Sequence, residues 1–317
     1  MVRERMRKHP LFLSLIHGYP IFVYKTEQLP GRRLYMATHN QVRAVGFLKS
    51  DPKVLNEGVE GAEKVLFMIR TLHRDLDGFH GMKFQDLMVY YDGPELMQRM
   101  KALSKFDLID IKGVFNILSL SKNSMCPGCG RVNTKLNGTS TFIYPISMTK
   151  LNAMREAYEH DENLPERILE THFKEVSNQV LIIGTVVNEP ELLQVKNTSC
   201  CRYRLGVDRK YYIKSQGDLT ADYPWVYSYA QQAERDYEHL RPGALILVDG
   251  FIQNRQVKSK IICSQCGAEY LYDDAATEMI PYAVEYLTGH LTDEEIALTA
   301  GYKAGKELRE AEAAIFG

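Results

Sequence analysis

A pair of cysteines two residues apart, followed by glycine, occurs twice in this chain. The copies are Cys126-Pro127-Gly128-Cys129-Gly130 and Cys263-Ser264-Gln265-Cys266-Gly267. Their surroundings repeat as well. Asn40-Gln41-Val42-Arg43-Ala44-Val45-Gly46, ahead of Asp51-Pro52, corresponds to Asn178-Gln179-Val180-Leu181-Ile182-Ile183-Gly184, ahead of Glu189-Pro190. Leu66 to Arg74 then matches Cys201 to Arg209, Val89-Tyr90 matches Val226-Tyr227, Asp110-Ile111-Lys112-Gly113 matches Leu247-Val248-Asp249-Gly250, and Pro145 matches Pro281. The order is kept and the offset stays between 135 and 138 residues. An internal repeat of this kind reads as one structural unit built twice, and 317 residues suit two domains of about 150 residues each.

Each copy reads as three strands, a short helix and two further strands. In the second copy Val180 to Val187 is an apolar run interrupted by Gly184, as in a curved barrel strand. Arg202 to Val207 alternates, and Trp225 to Tyr229 alternates aromatic with small or branched residues. Gln231 to Leu240 has helical spacing and ends at Arg241-Pro242-Gly243. Ala244 to Ile252 reads as the fourth strand, and Thr277 to Ile280 with its flanks as the fifth. Five strands with a helix between the third and fourth is the OB-fold arrangement, a five-stranded Greek-key barrel. The expected fold is therefore mainly β, with two tandem OB-fold domains, each carrying a C-x-x-C knuckle. The expected boundaries are a basic arm over 1–35, the first barrel over 36–147, a helical linker over 148–176 broken by Pro165, the second barrel over 177–289, and a C-terminal helix over 290–317 opened by the capping box Thr292-Asp293-Glu294-Glu295.

The net charge is −1, so no global basic signature for nucleic acid exists and any such case rests on local patches. The segment from Met1 to Tyr35 carries seven basic residues against two acidic ones, which reads either as an arm along phosphates or as a solubilising or docking tail. No apolar run approaches the roughly 20 residues of a membrane span, and the basic start is not followed by an apolar region of signal-peptide length. The reading is cytoplasmic, where thiols stay reduced and paired cysteines point to metal. Four thiolates, Cys126, Cys129, Cys263 and Cys266, suit a structural Zn(II) shared between the copies, with each glycine permitting the tight turn. A redox dithiol and a zinc shared between chains remain the alternatives. Cys200 and Cys201, neighbours in a strand, are expected to point oppositely, one to the core and one to the surface.

At the level of the second copy the chain resembles the bacterial single-stranded DNA-binding protein family. The residues that carry the resemblance are Asn178 to Gly184 with Asn188-Glu189-Pro190-Glu191-Leu192, Leu205 to Tyr211, Val226 to Tyr229 running through Ala233-Glu234 to Gly243, and Leu245 to Gln253. The resemblance spans about Val176 to Leu287; the first copy is a fainter relative. It implies binding of single-stranded DNA without catalysis, and it places Tyr223 and Tyr229 where the family's base-stacking aromatics sit. Two barrels in one chain, the cysteine pairs and a C-terminal helix ending in Ala-Ala-Ile-Phe-Gly in place of an acidic tail are departures from the family pattern.

Stacking rings and phosphate-tracking cations are what hold single strands. The candidates in the second copy are Tyr203, Arg209, Lys210, Tyr211, Tyr223, Trp225, Tyr227, Tyr229 and Phe251. In the first they are Phe67, Arg70, His73, Arg74, Phe84, Tyr90 and Tyr91. Half of each alternating set must face a core, so not all of these rings can serve. The expected function is single-stranded DNA binding in replication, recombination or conjugative transfer. An OB-fold interaction scaffold and an RNA-binding or primosome-type accessory factor are the alternatives. Replication or conjugation proteins and homo-oligomer formation are left open as further partners. No phosphate-binding loop, nucleophile motif or open metal triad supports an enzyme, and the histidines are scattered.

Overall fold

The structure is a computed structural model that describes residues 15–16, 19–20, 39–76, 79, 81–152, 155–195, 197–209 and 220–299. The chain falls into two units, Met1–Met36 and Ala37–Gly317. In the first, β1 (Leu15–Ile16) pairs with β2 (Tyr19–Pro20); the basic side chains expected to form an arm lie outside the described residues, as do Lys210 and Tyr211. The second unit contains both copies of the repeat.

Its first half comprises β3 (His39–Leu48), β4 (Lys53–Leu55), β5 (Lys64–Leu72), β6 (Phe84–Tyr91), α1 (Met97–Lys101), β7 (Leu108–Met125) and β8 (Val132–Asn152). The linker holds α2 (Arg155–His160), α3 (Leu164–Ile168) with Pro165 in its first turn, and a π-helical turn over Leu169–Phe173. The second half comprises β9 (Asn178–Val186), β10 (Glu191–Val195), β11 (Thr198–Asp208), β12 (Ala221–Asp222), β13 (Trp225–Tyr229), α4 (Ala230–His239), β14 (Leu245–Ile262) and β15 (Glu269–Thr288).

The strands close into a five-stranded barrel with OB-type wiring. β3 pairs with β5, β5 with β6, β6 with β8 in parallel, β8 with β7, and β7 returns to β3. The same circuit recurs as β9–β11–β13–β15–β14–β9, again with one parallel pairing, and α1 and α4 each join the third and fourth strands of their circuit. Each circuit closes on itself, while β4 and β10 are edge strands paired on one side only.

The repeated residues perform repeated tasks. Asn40 and Asn178 are both buried. Asn40 donates to the Phe115 carbonyl and accepts from its amide, at 2.9 and 2.8 Å. Asn178 does the same to Ile252, at 2.8 and 2.9 Å. Each amide side chain thus satisfies backbone groups beside a register shift in the fourth strand, at Lys112/Gly113 and Asp249/Gly250. Gly113 and Gly250 are there for close approach: a Cβ would lie 2.4 Å from the Tyr144 carbonyl oxygen or 2.1 Å from that of Ile280.

The two circuits join through their first strands. β3 and β9 pair antiparallel with Val42 opposite Val180, and these two valines are equivalent in the repeat, so a pseudo-twofold axis passes between them. Further contacts obey the same symmetry. The Ile117 amide donates to Asp222 Oδ1 at 3.0 Å and the equivalent Asn254 amide to Gln85 Oε1 at 3.1 Å. One hydrophobic core runs through both halves, including Val42, Ile69, Phe115, Val180, Leu205 and Ile252. A smaller cluster of Phe47, Leu72, Leu108 and Leu169 packs the linker against the first half.

The fourth and fifth strands are far longer than their apolar stretches suggested. β7 with β8, and β14 with β15, continue as two-stranded ribbons whose tips are the C-x-x-C-G turns. At the other end, Glu295 accepts from the Thr292 amide while Thr292 Oγ1 accepts from the Glu295 amide, at 2.9 and 3.3 Å. This is the expected capping box, opening helix over 293–299.

Candidate nucleic-acid face and metal centre

Along β13 the burial alternates, with Val226 and Ser228 inward and Trp225, Tyr227 and Tyr229 outward. On the facing β11, Arg202 lies opposite Tyr227 and Arg204 opposite Trp225. The guanidinium carbons of Arg202 and Arg204 sit 5.6 and 5.1 Å from the Trp225 ring, and that of Arg255 lies 6.0 Å from Tyr227. Trp225 and Tyr227 are 6.3 Å apart between centroids, and Tyr223 follows at the open end, 45% exposed. Rings flanked by two arginines of β11 and by Arg255 of β14 form a platform of the type that holds unpaired bases. Glu191 pairs with Arg202 and Glu278 with Arg255, both at 2.6 Å. Tyr229 is less available: its ring packs edge-on against Phe79, 5.3 Å between centroids, and burial raises its phenol pKa.

Several expected binding residues belong to the interior instead. Tyr203 is fully buried and donates to Asp236 at 3.1 Å. Phe251 is buried and stacked on His73 at 4.0 Å. Phe67, Tyr90 and Tyr91 are core residues of the first half, and Phe84 is half-buried beneath Arg70. The match of Leu66 with Cys201 is one residue off: β5 pairs Ile69 with Leu48, and β11 pairs Leu205 with Val186, which equates Leu66 with Arg202 and Phe67 with Tyr203. A slip of one residue exchanges the two faces of a strand. Arg202 and Arg204, the outward residues of that strand, were not among the candidates, although the alternation from Arg202 to Val207 contained them.

Three expected cations are already answered by carboxylates. Arg209 is 2% exposed and its Nε and one terminal nitrogen donate to Asp222 at 3.0 and 2.5 Å. Arg70 bonds Asp86 and Glu166, and Arg74 pairs with Glu175 while lying 4.3 Å over the Tyr282 ring. The first half also lacks the platform. By register, Met68 and Met88 stand where Arg204 and Trp225 face each other, and Leu66 stands for Arg202.

At the ribbon tips the four repeated cysteines converge, with all four Sγ atoms within 4.8 Å of one another. Cys126 and Cys266 are 3.8 Å apart and Cys129 and Cys263 3.6 Å. A tetrahedral zinc with Zn–S bonds of about 2.3 Å needs sulfur–sulfur edges of about 3.8 Å, so the donor set fits such an ion. Both turns have the same backbone: Gly130 and Gly267 donate to the carbonyls of Cys126 and Cys263 at 2.9 and 3.0 Å, with φ of 73° and 71°. Backbone N–H groups of Cys266 and Gln265 lower the Cys263 thiol to about 6. Cys129 receives a backbone hydrogen bond from Arg131, yet burial and the neighbouring sulfurs lift it to about 12. Crowded sulfurs cannot all be thiolates without a cation between them. Around them, Asn133 donates to Tyr270 at 3.1 Å and accepts from the Ser264 amide at 3.0 Å, and Asn133 and Tyr270 are equivalent positions of the repeat. Cys200 and Cys201 are both buried, which corrects the expected split between core and surface.

A closed β-barrel of OB type with an aromatic and basic strand pair on one outer face, and a four-sulfur cluster joining two ribbons, is the class the geometry defines. The Single-strand binding protein family matches residues 177–265. Single-stranded DNA-binding protein 2 of Clostridium acetobutylicum is 33% identical over 85 residues, 26% of this chain and 62% of that protein. Single-stranded DNA-binding protein 1 of Staphylococcus aureus is 25% identical over 118 residues, 37% of this chain and 69% of that one. The chain thus spans less than two thirds of the Clostridium relative. The crystal structure of wild-type single-stranded DNA binding protein from Thermus aquaticus shares the fold with a TM-score of 0.53 at 16% identity, covering 81% of this chain and 96% of that one. Among the described residues no helix is long and apolar enough to cross a membrane.

Proposed function

We propose that this chain binds single-stranded DNA without catalysis, through the β11–β13 face of its second barrel. The observation that carries this reading is the alignment of Trp225 and Tyr227 with Arg202, Arg204 and Arg255 on one outward surface. It falls inside the segment that matches the Single-strand binding protein family. The two circuits are two tandem OB-fold domains over about 36–147 and 177–289. Cys126, Cys129, Cys263 and Cys266 hold one structural Zn(II), which ties the ribbon tips together and supplies no chemistry beyond that. Tyr223, Trp225 and Tyr227 stack bases, and Tyr229 contributes a ring edge. Lys210 and Tyr211, which follow β11 in sequence, remain candidates. The first barrel shows Met68, Met88 and the Arg70–Asp86 pair on the equivalent surface and serves as a support.

The test is fluorescence titration with oligo-dT. Binding that weakens steeply as salt rises, and that Trp225→Ala weakens further, is the expected result. No binding at low salt defeats the proposal. Competition between DNA and RNA oligomers of equal sequence tests the preference for DNA.

A further inference from the structure

We propose that the cleft between the two barrels seats a phosphodiester group of the bound strand, held by Arg204 and Arg209. The inference rests on the reading of the β11–β13 face as the nucleic-acid surface and extends it across the seam.

The cleft has a volume of about 410 Å³ and opens beside Tyr223 and Trp225. One wall is Thr139, Ser140 and Thr141 of β8, from the first barrel; the other is the start of the second ribbon, around Ala276. Two guanidinium groups reach it with donors to spare. The Arg209 side chain is almost wholly buried and spends Nε and one terminal nitrogen on Asp222 and the Ile117 carbonyl, yet its other terminal nitrogen is buried without a partner. The Nε of Arg204 is also buried without a partner. Its neighbours Arg202 and Arg255 are each answered by a glutamate, whereas no carboxylate pairs with Arg204 among the described residues.

Buried donors in native proteins are almost always matched, and unmatched ones mark a group that belongs beside them. Water would satisfy the hydrogen bonds but not the charge. Among the described residues, Lys122, Arg204 and Arg209 line the cleft against Asp222 and Asp274, a balance of one positive charge. A phosphodiester carries one negative charge and oxygens that suit guanidinium donors; a free phosphate dianion would overshoot. Tyr223 and Trp225 both line the cleft, so a strand stacked on Trp225 lies at its edge. Because its walls come from both barrels, a strand seated there spans the seam.

The experiment uses the full chain and oligo-dT of two lengths, one confined to Trp225 and Tyr227 and one long enough to continue past them. Ala276→Trp plugs the cleft and Arg204→Gln removes its unanswered charge. For the long oligomer each change is expected to cut affinity about tenfold and to lower the slope of log K against log salt by about 0.7, the contribution of one single-strand phosphate. Ala276→Trp is expected to leave the short oligomer untouched, and thermal melting reports whether either variant is folded. If both folded variants keep wild-type affinity and slope for the long oligomer while Trp225→Ala weakens both oligomers, the cleft inference is overturned and the surface reading stands. Absence of binding by the wild-type chain overturns both. Displacement of the long oligomer by inorganic phosphate beyond that by chloride at equal ionic strength, with the plug still harmless to the strand, would assign the cleft to free phosphate and also overturn the proposal.

Discussion

Two aromatic residues on one sheet, Tyr203 on β11 and Trp225 on β13, have opposite duties, and substitution separates them. Trp225→Ala removes an outward ring and should weaken single-stranded DNA binding by about 1–3 kcal/mol, the worth of one stacked base, with little change in melting temperature. Tyr203→Phe should do the reverse: affinity for the strand stays, while stability falls by about 1–2 kcal/mol because Asp236 loses a buried donor. Burial holds the Asp236 carboxyl above the usual carboxylate range, against the hydrogen bonds it accepts from Ser228, Tyr286, Gln232 and Tyr203. The folded state therefore holds this proton more tightly than the unfolded chain does. That contribution to stability is present at low pH and fades as pH rises through the folded pKa. Losing the Tyr203 hydroxyl penalises the carboxylate more than the acid, so the deficit should grow as pH rises through the folded pKa, measured by thermal melts over a pH series. A deficit independent of pH would place the loss in packing instead. The sequence made the aromatic and basic character of this region legible, but not which rings face out. Alternation alone has two phases, and the candidates came from both; the pairing of Leu205 with Val186 and the burial along β11 fix which of its residues face out.

The ribbons are the elements that sequence concealed while displaying their tips. Spacing and the following glycine were enough to mark the two turns and the cysteines that cluster there, because a positive φ and converging sulfurs need those residue types. The strands leading to them were invisible. From Arg255 to Ile262, β14 has left the barrel and is exposed or half-buried along its length, with Val257, Ser259 and Ile261 half-buried between exposed neighbours, so the period of two is kept but too few apolar residues mark it for the strand to be read from sequence. Ribbons whose own core is only the small cluster of Cys126, Cys263 and Tyr270 with Ile261 need their tips held. Lys122 pairs with Asp274 and Ser124 bonds Tyr270 at 2.9 Å, but a two-stranded ribbon is marginal in water. Metal analysis of the purified chain should find one zinc ion per molecule. Cys126→Ser and Cys263→Ser, one from each ribbon, should each abolish it, because a shared site fails from either side. Chelation should lower the melting temperature and speed hydrogen exchange in 120–133 and 258–271 well before the barrels open. Retention of zinc in either single variant would show that the knuckles do not share one ion.

Across the whole molecule the duplication is strict inside and broken outside. Asn40 and Asn178, Gly113 and Gly250, and Val42 opposite Val180 keep the same tasks in both halves, while Met68 and Met88 have replaced the arginine and tryptophan of the second face. Interior positions answer to packing that both barrels share, whereas outer positions answer only to what they touch. This explains why the repeat was legible through its core strands and faint elsewhere. The shared seam also has a thermodynamic consequence. Two linked domains ordinarily unfold as separate units. Here β3 and β9 are adjacent strands of one sheet, the core is continuous across the seam, and Asn254 and Ile117 each give a backbone bond to the opposite half. Opening one barrel would strip partners from the first strand of the other. Calorimetry of the metal-loaded chain should therefore show one transition, with the van't Hoff enthalpy equal to the calorimetric enthalpy. Asn40→Ala and Asn178→Ala should both shift that same transition, each by about 1–3 kcal/mol for its unpaired backbone groups. If Asn40→Ala moved one peak and Asn178→Ala another, the halves would be independent folding units, and the pairing at Val42 and Val180 would be a contact between them and not a shared core.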